Sequence, residues 1–123
     1  MGGVTATTSG PWRAFGAEAL QAYAELTADF NPLHLDADFA AKTPLGRPIV
    51  YGTLTLALVW DLLALPPEGL GTDRVELRFR APVFVGEEVR AELLPEGDAP
   101  GRAFRVVKRS GESAIEGRWL AGA

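Results

Sequence analysis

Hydrophobic and polar positions change period about halfway along the chain. Between Ala17 and Thr27, in AEALQAYAELT, apolar or small residues fall at Leu20, Tyr23, Ala24 and Thr27, the i, i+3, i+4, i+7 spacing of a helix with one buried stripe. Glu18 sits in the first turn, where a negative charge suits the positive end of the helix dipole. Pro32 disfavours the α conformation in the residue before it, so this helix must stop by about Asn31. Asp36 then predicts an N-cap for a short second helix over ADFAAK, ended by the Thr43-Pro44 step. The residues from Asp29 to His34 therefore form a connection between helices. From Thr53 to Leu65 the chain runs thirteen residues before Pro66 and Pro67. Its first positions alternate as a strand would, but a run this long, rich in Ala and Leu, predicts a helix. It is apolar almost all round, which predicts a buried helix about 20 Å long.

Beyond that helix the period becomes two. Val75, Leu77 and Phe79 fall on one side and Glu76, Arg78 and Arg80 on the other, and Val89, Ala91 and Leu93 repeat the alternation after a turn at Gly86. EGDAPG reads as a turn, and RAFRVVKR, SGE and SAIEGRWLA read as strand, turn and strand. Helices followed by strands predict an α+β domain, with the buried helix lying across one face of an antiparallel sheet. There is no internal repeat, linker or low-complexity stretch.

Length and composition narrow the function classes. A chain of 123 residues suits one domain with a single core, residues 1–123, with 1–14 as an N-terminal strand or extension. Twelve basic and sixteen acidic residues give a net charge of -4, in mixed sign along the chain, which argues against nucleic-acid binding. The absence of cysteine excludes disulfides, thiolate metal sites and a cysteine nucleophile. MGGVTATTSGPWRAFG has no basic segment followed by an apolar run, so no signal peptide is expected and the cytoplasm is the default location. The longest apolar stretch, Leu54 to Leu65, is broken by Asp61 and too short for a bilayer; a soluble protein without membrane contact is expected.

The candidate chemistry lies in TADFNPLHLDADFAAKTPLGRPIVYG, residues 27 to 52, which holds the single histidine, His34, among three aspartates. From the residues alone, His34 is either a reactive group or an ordinary hydrogen-bonded loop residue, and Asp29 either its partner or the end of a helix. His34 and Asp36 form an H-x-D pair, but with neither a second histidine nor a cysteine no metal site is expected. Gly46 and Gly52 are turn glycines unless a ligand approaches them, and Trp12, Trp60 and Trp119 suit core or interface positions.

The same stretch contains Asp29-x-Asn31-Pro32-x-His34, continues to Ile49-x-Tyr51-Gly52, and is followed by a buried helix and then FRAPVFVGEEVRAEL. From about residue 15 to 94 the chain resembles the MaoC-like branch of the hot-dog fold, the (R)-specific 2-enoyl-CoA hydratases. The resemblance implies an antiparallel sheet wrapped around a long central helix, and a homodimer or dimer of dimers with the acyl pocket at the interface. It implies an acyl-CoA substrate, with no cofactor beyond the thioester itself. The implied reaction is reversible syn addition of water to a trans-2-enoyl-CoA, giving the (R)-3-hydroxyacyl-CoA. Asp29 and His34 match the residues that hold and activate the water, Asn31 the asparagine that orders the loop, and Gly52 the glycine whose N–H donates to the thioester carbonyl. Tyr51, Ala57 and Trp60 fall at substrate-facing positions, and Arg47 is placed to meet the CoA phosphates.

These roles agree with the chemistry. Hydration needs a base for the water, a proton for the α-carbon and donors where charge grows on the thioester oxygen. An imidazole beside a carboxylate suits the first two tasks. A glycine heading a buried helix suits the third, because free N–H groups converge there and no Cβ intervenes. The chain departs from the family pattern in two respects: Tyr51 stands where histidine is usual, and Ala57 and, three residues on, Trp60 stand where a small hydroxyl residue is common. A Trp60 aimed into the acyl tunnel would shorten it and favour short chains. Two other classes fit the same fold: a non-catalytic thioester-binding or partner subunit, and a thioesterase whose carboxylate aims water at the carbonyl carbon.

Overall fold

The structure, a computed structural model, describes residues 6–64 and 72–122. Its elements run β1 (Thr8–Ser9), α1 (Ala17–Thr27), α2 (Pro32–Leu35), α3 (Ala37–Ala41), α4 (Gly52–Leu63), β2 (Arg74–Phe79), β3 (Val89–Leu93), β4 (Arg102–Lys108) and β5 (Ser113–Leu120). This is the α+β hot-dog layout expected, a long helix laid across an antiparallel sheet. The sheet order is β1-β3-β4-β5-β2, so β2 and β3, successive in sequence, lie in different halves of the sheet and β2 forms an open edge.

The helix α1 has the predicted ends and buries Leu20 and Ala24. It stops for a reason other than Pro32: Ala28 takes the left-handed conformation at φ 58°, which costs about 1 kcal/mol or more in a residue with a Cβ. Pro32 instead opens α2, a single turn capped by Asn31. Asp36 caps α3 as predicted, its carboxylate accepting from the Asp38 and Phe39 N–H groups at 3.0 Å.

The long helix α4 begins at Gly52, one residue earlier than predicted, and closes at a left-handed Ala64. Leu65, Pro66 and Pro67, which the sequence reading placed at its end, lie outside the described residues, as does the start of the N-terminal extension. It packs on β3 and β4, where Leu56 and Val59 join Val89, Ala91, Phe104 and Val106 in the core. The expectation of an all-round buried helix needs correction. Thr55, Leu56 and Val59 are buried, while Leu54, Leu58, Trp60, Leu62 and Leu63 are only half-buried, because one sheet covers one side of a helix.

The inner face of the sheet is moulded around Phe104. That ring is 1% exposed, meets Trp60 edge-on at 6.0 Å between centroids, and pairs across the strands with Gly117. A Cβ on Gly117 would lie 2.7 Å from the Phe104 ring and 2.6 Å from the Glu76 carbonyl, so a glycine is what lets the phenyl group lie across β5.

The outer face carries a row of alternating charge. Glu92, Arg105, Glu116 and Arg78 are successive cross-strand neighbours over four strands. Glu92 is 5% exposed. Its carboxylate accepts from Arg105 Nε at 2.6 Å, from Arg90 Nη2 at 3.0 Å and from the Ser9 hydroxyl at 3.4 Å. Burial pushes this carboxyl up, but the hydrogen bonds and charges of Arg105 and Arg90 outweigh burial and hold it below the usual carboxylate range.

Candidate active site

The loop that carries Asp29 and His34 is shaped by its own side chains. The Asp29 carboxylate accepts the Asn31 N–H at 3.2 Å, and the Asn31 side chain accepts the Leu33 N–H at 3.0 Å. Pro32, at the first position of α2, gives up no needed donor there. These linked turns raise His34 on a single helical turn. The turn is tied to the segment before α4, with the Ile49 N–H donating to the Leu33 carbonyl at 3.3 Å.

The His34 ring is fixed in tautomer and in plane. Its Nδ1 lies 2.7 Å from the Ile49 carbonyl oxygen. A carbonyl only accepts, so Nδ1 carries the proton of the neutral ring and Nε2 keeps a free lone pair. The ring also stacks on Tyr51, with centroids 3.9 Å apart and planes 22° from parallel.

Gly52 is the first residue of α4, and Tyr51, the N-cap, makes no side-chain cap hydrogen bond. The leading N–H groups of the helix therefore have no partner within it and stand at its positive end. A Cβ on Gly52 would lie 2.5 Å from the Phe79 ring. Phe79 continues the apolar face of β2 as the alternation predicts, yet it is 58% exposed because β2 is an edge strand and its end overhangs this helix start.

Asp29, His34, Gly52, Thr53, Thr55, Phe79 and Arg80 line one cleft of about 450 Å³, floored by Val83 and Ile115. The three residues expected to handle water and the thioester are thus gathered in one place. Tyr51 also borders the cleft, with its hydroxyl donating to the Asp29 carbonyl at 2.6 Å. Burial, then the Asp29 charge and Tyr23, push this phenol up, so it remains a donor through neutral pH. Asn31 acts within the loop and is not among the lining residues. Ala57 and Trp60 are not either, and Arg47 stacks on Phe84, its Cζ 4.2 Å from the ring centroid. The cation that does line the cleft is Arg80, joined to Glu116 at 3.7 Å. In the sequence Arg80 shows only as the polar side of an alternating strand, with nothing local to mark it as a cleft residue. Among the described residues no group of three or more His, Asp or Glu side chains could hold a metal ion, and no helix is long and apolar enough to cross a membrane.

Comparison with known proteins identifies relatives of the whole domain. Residues 4–116 match the family model of the MaoC like domain. An (R)-specific enoyl-CoA hydratase of Aeromonas caviae is 49% identical over 81 residues, which cover 64% of this chain and 60% of that protein. A 3-hydroxybutyryl-CoA dehydratase of Methylorubrum extorquens is 43% identical over 81 residues, 60% of this chain and 52% of that protein. The matched stretch thus spans little more than half the length of these curated relatives. Among solved structures, the (R)-hydratase from A. caviae involved in PHA biosynthesis superposes with a TM-score of 0.78 at 37% identity, covering 97% of this chain and 95% of that one. An R-hydratase of Pseudomonas aeruginosa in unliganded form also gives a TM-score of 0.78, at 30% identity over 98% of this chain and 81% of that one.

Proposed function

The chain belongs to the MaoC-like domain family, and from that premise we propose that it adds water reversibly to a trans-2-enoyl-CoA, giving the (R)-3-hydroxyacyl-CoA. The observation that carries this reading is the cleft itself. It sets a carboxylate, a histidine with a free Nε2 and the uncapped start of a helix around one space large enough for an acyl thioester. The similar proteins named as enoyl-CoA hydratase and 3-hydroxybutyryl-CoA dehydratase support the substrate class.

In this mechanism the thioester carbonyl lies against the Gly52 N–H, where the helix dipole and the free N–H stabilise the charge that builds on oxygen as the β-carbon is attacked. Water held between Asp29 and His34 gives up a proton as its oxygen bonds to the β-carbon, and the same pair returns a proton to the α-carbon. Addition and protonation from one face of the double bond make the reaction syn. Asp29 and His34 both border the space where the water would sit, so base and acid are roles of the two together. The half-buried outer side of α4 and the open edge of β2 support assembly as a homodimer, in which a second copy covers apolar surface that this chain leaves bare.

Crotonyl-CoA tests the reaction class. Incubation with the protein is expected to remove the enoyl-thioester absorbance without releasing free thiol. Thiol release would replace this reading with a thioesterase, and binding with neither change would make the protein a silent thioester-binding subunit.

Arg80 at the cleft is suited to the phosphates of the CoA carrier, since a guanidinium pairs with phosphate through parallel hydrogen bonds. Arg80→Gln is expected to raise KM for crotonyl-CoA by roughly 3- to 10-fold, on the scale of one exposed charge-assisted contact, with kcat unmoved. Crotonyl-pantetheine, which lacks the phosphates, should show no change in KM. An equal rise for both thioesters would place Arg80 away from the carrier.

A further inference from the structure

One buried side chain touches both members of the proton-handling pair. Tyr51 is 3% exposed, and its hydroxyl and its ring do different things. The hydroxyl donates to the backbone carbonyl of Asp29 at 2.6 Å, across 22 residues of sequence. The ring lies against the His34 imidazole at 3.9 Å, nearly parallel to it. Tyr23 closes on the same ring at 5.0 Å and 57°, and its own hydroxyl is 2.7 Å from the Thr53 hydroxyl at the start of α4, so Tyr51 is braced in turn. The carbonyl it holds belongs to the residue that follows the left-handed Ala28. A loop entered through an unfavourable backbone conformation needs an outside tether to keep one geometry, and the phenol supplies it.

We propose that Tyr51 is a positioning residue for the proton transfer, holding Asp29 by its peptide and His34 by its ring face so that the two keep a fixed separation. The proposal rests on the reading that Asp29 and His34 handle the water. It concerns a side chain that touches neither the water nor the β-carbon in that reading. Displacements near 1 Å at such a pair change rates strongly even when binding is untouched. A tyrosine that merely filled space would need its ring and not its hydroxyl.

Tyr51→Phe separates these roles, because it removes the tether and keeps the stack. It is expected to lower kcat for crotonyl-CoA hydration by roughly 10- to 100-fold, with KM held within about twofold and a circular dichroism spectrum like that of the wild type. The same change made in an Asp29→Asn background is expected to lower kcat less than about twofold, since a residue that acts through Asp29 has nothing left to position. A full kcat in Tyr51→Phe would overturn the proposal and leave Tyr51 as core. An undiminished effect in the Asp29→Asn background would also overturn it, by showing that the hydroxyl acts elsewhere. Wild-type hydration by Asp29→Asn alone would instead remove the reading of the pair, and the positioning role with it.

Discussion

Replacing His34 with glutamine is expected to lower kcat for crotonyl-CoA hydration by about 10²- to 10⁴-fold, the usual contribution of a positioned acid–base group. Glutamine retains an N–H that can donate toward the Ile49 carbonyl, but it has no basic nitrogen in place of the Nε2 lone pair. Asp29→Asn should cost a similar factor. Its side-chain oxygen still accepts the Asn31 N–H, so the loop keeps its turn and the loss reports on the charge. Neither change touches the Gly52 N–H, and a residual rate from the carbonyl-polarising end of α4 should persist. Steady-state kinetics on both variants, with folding checked by circular dichroism, decides the matter; wild-type turnover in either one would show that water is activated by another group.

The second large effect lies on the outer face of the sheet. Glu92→Gln leaves the shape of the outer-face cluster intact and removes the charge that Arg105 and Arg90 share. Loss of one partner from a buried pair is worth about 3 kcal/mol or more, and the exposure of both arginines to solvent brings the expected loss to about 2 kcal/mol. Because the folded-state carboxyl is held below its ordinary value, its contribution is complete above the unfolded-state pKa and disappears as pH falls through the folded one. The gap in urea midpoint between wild type and Glu92→Gln should therefore be full at pH 7, begin to shrink only below about pH 4, and close as pH falls through the lowered folded-state value, where the protonated acid resembles the amide. A gap of constant size across that range would mean that packing, not charge, holds Glu92 in place. The kcat for hydration at pH 7 should be unaffected, since none of Glu92, Arg105, Arg90 and Ser9 lines the cleft.

Much of this architecture could be read from residue spacing. Leu20, Tyr23, Ala24 and Thr27 marked α1, Asp36 marked the start of α3, and alternation marked the strands, because each signal is local and repeats. Features made by few residues or by distant ones were not legible. The turn α2 is four residues long and has no period to detect, and a left-handed Ala28 leaves no trace in composition. Alternation put Phe79 on the apolar face but could not say that β2 ends the sheet. It also placed Glu92 on the polar side, where exposure is the natural expectation; Arg105, Arg90 and Ser9 bury it, and they come from elsewhere in the sheet or two residues along. The site divides in the same way. Asp29, His34 and Gly52 stand out by type and motif, whereas Arg80 and the two-sided role of Tyr51 depend on segments that only folding brings together.

The cleft draws Asp29, His34 and Gly52 from a single polypeptide, and this has a genetic corollary. In an assembly of identical subunits, protomers lacking one residue of a shared site can sometimes be rescued by protomers lacking another. Here a mixture of Asp29→Asn and His34→Gln subunits contains no cleft with both residues intact, however the copies pair. Two such alleles in one cell would fail to complement, while one intact allele would leave every wild-type subunit with its own Asp29, His34 and Gly52.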